Sequence, residues 1–428
     1  DSAASVPELE ESVLRAKEYY AQRPIREAAT VVGETLSALV ALEEARDKTG
    51  AARERAEVLL SHWRDTSRKW KSNQVHRGLL AALETAVRLR RKDGAPREAL
   101  PLALEAVALQ RELLAEGPQA SSRRKNLAVV LERLGSTQQE LGSLDEAQKN
   151  FKESALVRRR LLAERPDRVS QTDLAVILDR LGNLAEARGD HSTAHQSHEE
   201  AAKLLRELAK GPQGKKQRSN LGIAARKLGG HAAHDQDVEE ARELFEESKS
   251  IFETLLRERP TDGARVIELA VSIDRIANLD HEEGRLKEAE EGFTQALRYY
   301  LALTKANPRS LRLQQSAAAG YLRLALVYSD QGRGKEALAA AAENLRRTEF
   351  LVARVKGSLS LLRDQAVSRY QCAELEAKHG DLDRALTSYA AASRAYAALL
   401  PKAPHYAKEG EALQAAIDEA RQRLGWLQ

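Results

Sequence analysis

The chain has 428 residues, with 68 Lys and Arg against 64 Asp and Glu, a net charge of +4, and 42% hydrophobic but only 4% aromatic residues. Interspersed charges of both signs describe a solvated helical surface rather than a polyanion binder, and the weight of Ala, Leu, Glu and Arg favours helix over strand. A single cysteine, Cys372, excludes an intrachain disulfide and a cysteine-built zinc site, and no apolar run approaches the ~18 residues of a bilayer span.

No methionine occurs, not even an initiator, so the sequence reads as a processed chain or a fragment of a longer one. The lone cysteine fits a cytoplasmic, reducing location. A cleaved secretory signal leaves no trace, so a periplasmic or secreted location stays open.

Residues 1–78 read as an atypical helical cap or degenerate repeats. Within 61–130 stand fourteen Lys or Arg against seven Asp or Glu, including HWRDTSRKW at 62–70, whereas 1–60 holds eight against twelve. Trp63 and Trp70 are seven apart and share a helix face. Basic residues with aromatics suit nucleic acid, anionic lipid or a docking partner, but two tryptophans at that spacing are better read as core, so no nucleic-acid partner is expected.

From about residue 79 to 402 the chain repeats itself. NLAVVLERLG at 126–135 returns as DLAVILDRLG at 173–182, NLGIAARKLG at 220–229 and ELAVSIDRIA at 268–277, then as SAAAGYLRLA at 316–325 and DQAVSRYQCA at 364–373. Each block runs into a turn that closes on an alanine: Ala147, Ala194, Ala241, Ala289, Ala337 and Ala385, spaced 47, 47, 48, 48 and 48 residues apart, with Ala99 one unit earlier. Pro118, Pro166, Pro212, Pro260, Pro308 and Pro404 punctuate the same interval, and Lys356-Gly357 fills the remaining breaker slot. Each unit is therefore helix, tight turn, helix, breaker. Leu174, Ile177, Leu178, Leu181 and Leu184 give one apolar stripe at helical spacing. Gly135, Gly182, Gly229, Ala277, Ala325 and Ala373 share a register in which a small residue lets two backbones approach. Four residues after the closing alanine come Phe151, His198, Phe245, Phe293 and Tyr389, mostly a large ring.

The Leu181-Gly182 pair, the Gly189-Asp190 turn, Ala194 and a ring such as Phe151 make the pattern resemble the tetratricopeptide repeat family. The resemblance is strong over 80–428 and weak over 25–80. The family unit is about 34 residues, so each helix here is about one and a half to two turns longer at ~3.6 residues per turn. It implies an all-α, right-handed solenoid of stacked antiparallel helix hairpins, with 403–428 as a C-terminal capping helix whose end Trp426 covers.

The resemblance also implies that the first helix of each unit lines a concave groove. The residues it places there are Glu132, Ser136, Asp179, Asn183, Glu186, Arg226, Asp274, Asn278 and His281. Asp179, Asn183 and Glu186 share a face, as do Asp274, Asn278 and His281, and an Asn amide can pair with an extended backbone as donor and acceptor. The family's clamp for a C-terminal carboxylate needs paired Lys and Asn; Asp stands where Lys is required, which argues against that ligand. A basic column, Arg133, Arg180, Lys227, Arg275 and Arg323, could hold acidic segments; the plainer reading is that each covers a neighbouring helix and pairs with a nearby acid. His191, His195, His198, His231 and His234 cluster within 44 residues. By the repeat register His191, His195 and His198 take core-facing slots of one helix, and His231 and His234 lie on the following helix, which packs against it; the cluster is read as a hydrogen-bonded polar patch, with a divalent-metal site or protonation near pH 6 as alternatives.

No phosphate-cradling GxxxxGK[ST], HExxH or GxSxG occurs, and Cys372 sits in an apolar slot. The sequence thus reads as a non-catalytic scaffold for a protein or peptide, with no cofactor and with possible self-association through its end units. Its alternatives are a regulatory or sensory segment of a larger bacterial signalling protein and a metal- or pH-responsive module.

Overall fold

A computed structural model describes residues 5–46, 48–118, 120–211, 214–355, 358–379, 382–402 and 407–423. Among them are eighteen α-helices and no strand. A first helix, α1 (Val6–Gln22), is followed by eight hairpins. These are α2 (Arg26–Ala45) with α3 (Thr49–Lys69), α4 (Asn73–Lys92) with α5 (Pro96–Glu116), α6 (Ser121–Glu140) with α7 (Leu144–Glu164), and α8 (Arg168–Ala187) with α9 (His191–Ala209). Then come α10 (Lys215–His234) with α11 (Val238–Glu258), α12 (Gly263–Glu282) with α13 (Leu286–Ala306), α14 (Leu311–Asp330) with α15 (Gly334–Arg354), and α16 (Leu359–Lys378) with α17 (Leu382–Leu399). A 3₁₀ turn, Leu400–Lys402, precedes α18 (Ala407–Arg423).

The chain divides into two compact units, Asp1–Gln217 and Arg218–Gln428. Within each, helices pack on those next to them in the chain, as a stack of hairpins requires. The weakly matching stretch 25–80 supplies α2 and α3, and first helices begin at 26, 73, 121 and 168 in the first unit and at 263, 311 and 359 in the second. In the second unit Ile417 of α18 is buried against Tyr389 and Ala385. Trp426 lies outside the described residues, as do Pro212, Pro404 and Lys356-Gly357.

The tight turns inside six of the hairpins close in one way. Backbone N–H groups of Ala95, Ser143, Asp190, Asp237, Arg285 and Arg333 reach back five residues to carbonyls of Arg90, Gln138, Ala185, Ala232, Asp280 and Tyr328, the bond that ends a helix on a left-handed residue. That residue is Gly94, Gly142, Gly189, Gly284 and Gly332, with φ of 72–79°, but at the fourth of these turns it is Gln236, with φ 63°. A side chain in this region costs about 1–2 kcal/mol. Gln236→Gly is therefore expected to stabilise the second unit by about 1 kcal/mol, read from urea unfolding.

Two slots per hairpin set how closely its helices approach. In the first slot, the fifteenth residue of the first helix meets the eighth of the second. The pairs are Val40/Ala56, Val87/Ala103, Gly135/Phe151, Gly182/His198, Gly229/Phe245, Ala277/Phe293, Ala325/Ala341 and Ala373/Tyr389, all buried. A Cβ on Gly135 would lie 2.6 Å from the Phe151 ring, and one on Gly229 2.7 Å from Phe245. A ring on the second helix thus faces glycine or at most alanine on the first; where the first helix carries Val, the second carries Ala. The other slot joins the eighth residue of the first helix to the fifteenth of the second: Gly33/Trp63, Leu80/Gln110, Ala128/Arg158, Ala175/Leu205, Gly222/Phe252, Ala270/Tyr300, Ala318/Thr348 and Ala366/Tyr396, again all buried. Trp63 lies between Gly33 of α2 and Gly78 of α4, where a Cβ on either would stand within 2.4 Å of the indole.

Candidate functional site

The faces of the first helices are built on one rule. The thirteenth residue, the basic column, reaches back to the twelfth residue of the preceding first helix. Arg133 Nη2 lies 3.3 Å from Glu84 Oε2, Arg180 Nε 2.9 Å from Glu132 Oε1, and Arg323 Nη1 3.0 Å from Asp274 Oδ1. The partners lie 48 or 49 residues apart, one full unit, so each pair ties neighbouring hairpins together.

In the first unit Glu132 also accepts from Arg158 Nη2 at 2.6 Å, and the other Arg158 nitrogen stands 3.4 Å from Asp173 Oδ2. Ser136 donates to the Glu132 carbonyl and accepts from Arg180. Glu132, Ser136 and Arg180, read separately from the sequence, are therefore one network, with Arg158 at its buried centre. The sequence marks Arg158 only as the one charged member of a column that also holds Trp63, Gln110, Leu205, Phe252, Tyr300, Thr348 and Tyr396. Asn183 Nδ2 donates to Asp179 Oδ2 at 3.2 Å, and Glu186 Oε1 lies 3.8 Å from His198 Nδ1.

The five histidines do not share one environment. His198 is buried in the ring slot against Gly182, as Phe151 is against Gly135, whereas His191 is exposed and His195 half-buried. In the second unit His231 is buried and His234 exposed. The core-facing reading is thus corrected for His191. His191 is the first residue of α9, three before the alanine that opens the buried stripe, and His234 is the last of α10.

In the second unit Asn278 Nδ2 donates to Glu282 Oε1 at 2.7 Å, and His281 Nε2 reaches Asp330 Oδ2 at 2.8 Å. Asp274, 5% exposed, is pushed above the ordinary carboxylate range by burial, against the pull of Arg323 and Arg275. Arg275 breaks the ladder. The acid slot of the preceding helix holds Arg226, which pairs with Glu268 at 3.1 Å, and Arg275 makes no ion pair among the described residues. Burial by surrounding protein pulls its pKa down, opposed by Asp274 and reinforced by the guanidinium groups of Arg323 and Arg226. Because the side chain keeps an exposed surface, it remains a hydrated, charged donor.

Other sequence candidates are absorbed by structure. The basic run 61–130 is met by acids on neighbouring helices: Arg64 by Glu105, Arg90 by Glu57, and Arg91 by Glu140 at 2.6 Å. Trp63 is core, and Trp70 packs partly buried against it. Cys372 is buried, and burial together with Glu376 pushes its thiol up to about 11, so it is scarcely ionised at neutral pH.

No family model and no curated protein sequence matches this chain. Solved structures do. The apo form of RapI aligns at 14% identity over 92% of this chain and 98% of that one, with a TM-score of 0.55. A Signal Transduction ATPase with Numerous Domains (STAND) protein with a tetratricopeptide repeat sensor, from Pyrococcus horikoshii, aligns at 13% identity over 97% of this chain, with a TM-score of 0.53. The fold is that of a tetratricopeptide repeat array. The array spans about half, 55%, of that second protein. Its units are the long-helix variant, 47 or 48 residues from one first helix to the next within each unit of the chain. Among the described residues, no helix is long and apolar enough to cross a membrane.

Proposed function

We propose that the array is a non-catalytic scaffold that captures a protein or peptide on the first-helix face, and that the captured segment carries an acidic side chain engaging Arg275. The observation that carries this reading is the break in the ladder: Arg133, Arg180 and Arg323 are spent on internal acids, while Arg275 is exposed and flanked by two more arginines. A planar guanidinium with open donors is suited to a carboxylate, and a charged hydrogen bond of this kind contributes roughly 1.5–3 kcal/mol. Asn278 and His281, one helical turn and two turns beyond Asp274, border the same face.

The test is an immobilised peptide library probed with the full chain. Retained peptides are expected to be enriched in Asp or Glu, and Arg275→Gln should cut their retention at least about ten-fold with helicity and Tm unchanged. Equal retention by both proteins would remove Arg275 from the interface.

A second reading, in which the array is the sensing segment of a larger signalling protein, is supported by the fold match to the STAND protein, of which this chain spans about half. A kinase, NTPase or protease domain encoded in the same gene would favour it.

A further inference from the structure

One hairpin fills neither of its slots. In α14–α15 the first slot pairs Ala325 with Ala341 and the second pairs Ala318 with Thr348, whereas the hairpins on either side place Tyr300 and Tyr396 in the second slot. Small side chains, both buried, stand where the flanking hairpins carry a ring. A cleft of about 420 Å³ lies between α14, α15 and α16, lined by Ala318, Thr348, Leu351, Val367, Ser368 and Asn344, within the ~300–1,000 Å³ range of small-molecule sites.

The cleft also holds a fixed acceptor. Asn344 is 3% exposed. Its Nδ2 donates to the Ala318 carbonyl at 2.8 Å, which orients the amide. Its Oδ1 is buried and receives no hydrogen bond from the protein. The nearby Thr348 hydroxyl is committed to the Asn344 carbonyl at 2.9 Å and stands 3.4 Å from Ser368 Oγ. A buried acceptor left unmet is costly, and a ligand that supplies a donor recovers that cost.

We propose that this cleft binds an aromatic ring bearing one hydrogen-bond donor, a phenol or an indole, stacked on Ala318 and Thr348 and hydrogen-bonded to Asn344 Oδ1. The ring takes the place that tyrosine takes in the flanking hairpins, and the donor meets a buried acceptor on the cleft floor that the protein leaves unmet; Gln315 and Asp364, bonded to each other, line the same cleft. The site lies apart from Arg275 and stands or falls independently of the first-helix reading. The ring can come from a free small molecule or from a tyrosyl or tryptophanyl side chain.

Ligand-observed NMR titration of the full chain tests this with 4-methylphenol, toluene and N-acetyltyrosine amide. 4-Methylphenol is expected to bind saturably and about five-fold tighter than toluene, the difference one buried hydrogen bond makes. Thr348→Phe, which plugs the slot, should abolish binding of both with Tm unchanged or raised. Asn344→Leu should keep the toluene affinity and erase the preference for the phenol. Blocked tyrosine binding as tightly as 4-methylphenol identifies a peptide side chain as the source; binding of the free phenol alone identifies a small molecule. No saturable binding by the wild-type chain, binding that survives Thr348→Phe, a lowered Tm in that variant, or a phenol preference that survives Asn344→Leu overturns the proposal.

Discussion

Phe151→Ala is expected to destabilise the first unit by about 3–5 kcal/mol, and adding Gly135→Val to restore a third or more of that loss. Phe151 is fully buried against the bare backbone of Gly135, and truncating it leaves a void that two long helices cannot collapse to fill. Gly135→Val alone is also destabilising, by about 1–3 kcal/mol or more, because its Cβ would lie 2.6 Å from the ring and 3.2 Å from the Ala147 carbonyl. Together the two changes write Val over Ala, the pairing already present as Val40/Ala56 and Val87/Ala103. Val87 and Ala99, at the positions of Gly135 and Ala147 in the preceding hairpin, are both buried in one core cluster, so the valine has a precedent at this register. Removing a helical glycine adds a further ~0.5–1 kcal/mol. A double-mutant cycle in urea reads the coupling. Losses that simply add would mean the slots are not governed by exchange of volume between helices.

The same slots mark how far the sequence was legible. The first was plain, because small residues and rings alternate at fixed intervals and the alanines of the turn keep time. The second went unread although Ala128, Ala175, Ala270, Ala318 and Ala366 keep the same beat, because their partners include Gln110, Arg158 and Thr348 and do not look like a core column. Hairpin stacking followed from the apolar stripe, but the ion-pair ladder did not. Arg180 and Glu132, or Arg323 and Asp274, stand a whole unit apart, so the column of arginines was visible without its acids. The left-handed backbone at Gln236 was hidden because glycine, its usual marker, is missing. The cleft beside Asn344 left no mark that a column-by-column reading weighed, since it is defined by a ring that is not there.

Arg323→Met is expected to destabilise the second unit by about 3–5 kcal/mol at pH 8, the cost of leaving a buried carboxylate without its partner, and by progressively less as pH falls. Asp274 sets the sign. Burial already holds its folded pKa above the unfolded value of ~3.9, so the folded state takes up this proton more readily than the unfolded chain. Stability from this group is therefore highest below the unfolded pKa and falls as pH rises through the folded one. Losing Arg323 raises the folded pKa further, so the variant should diverge from the wild type with rising pH and converge with it towards pH 4. Asp274→Asn in the same background should recover most of the loss at pH 8, because no buried charge then remains. A gap that holds constant with pH would show that Asp274 is not the group Arg323 serves.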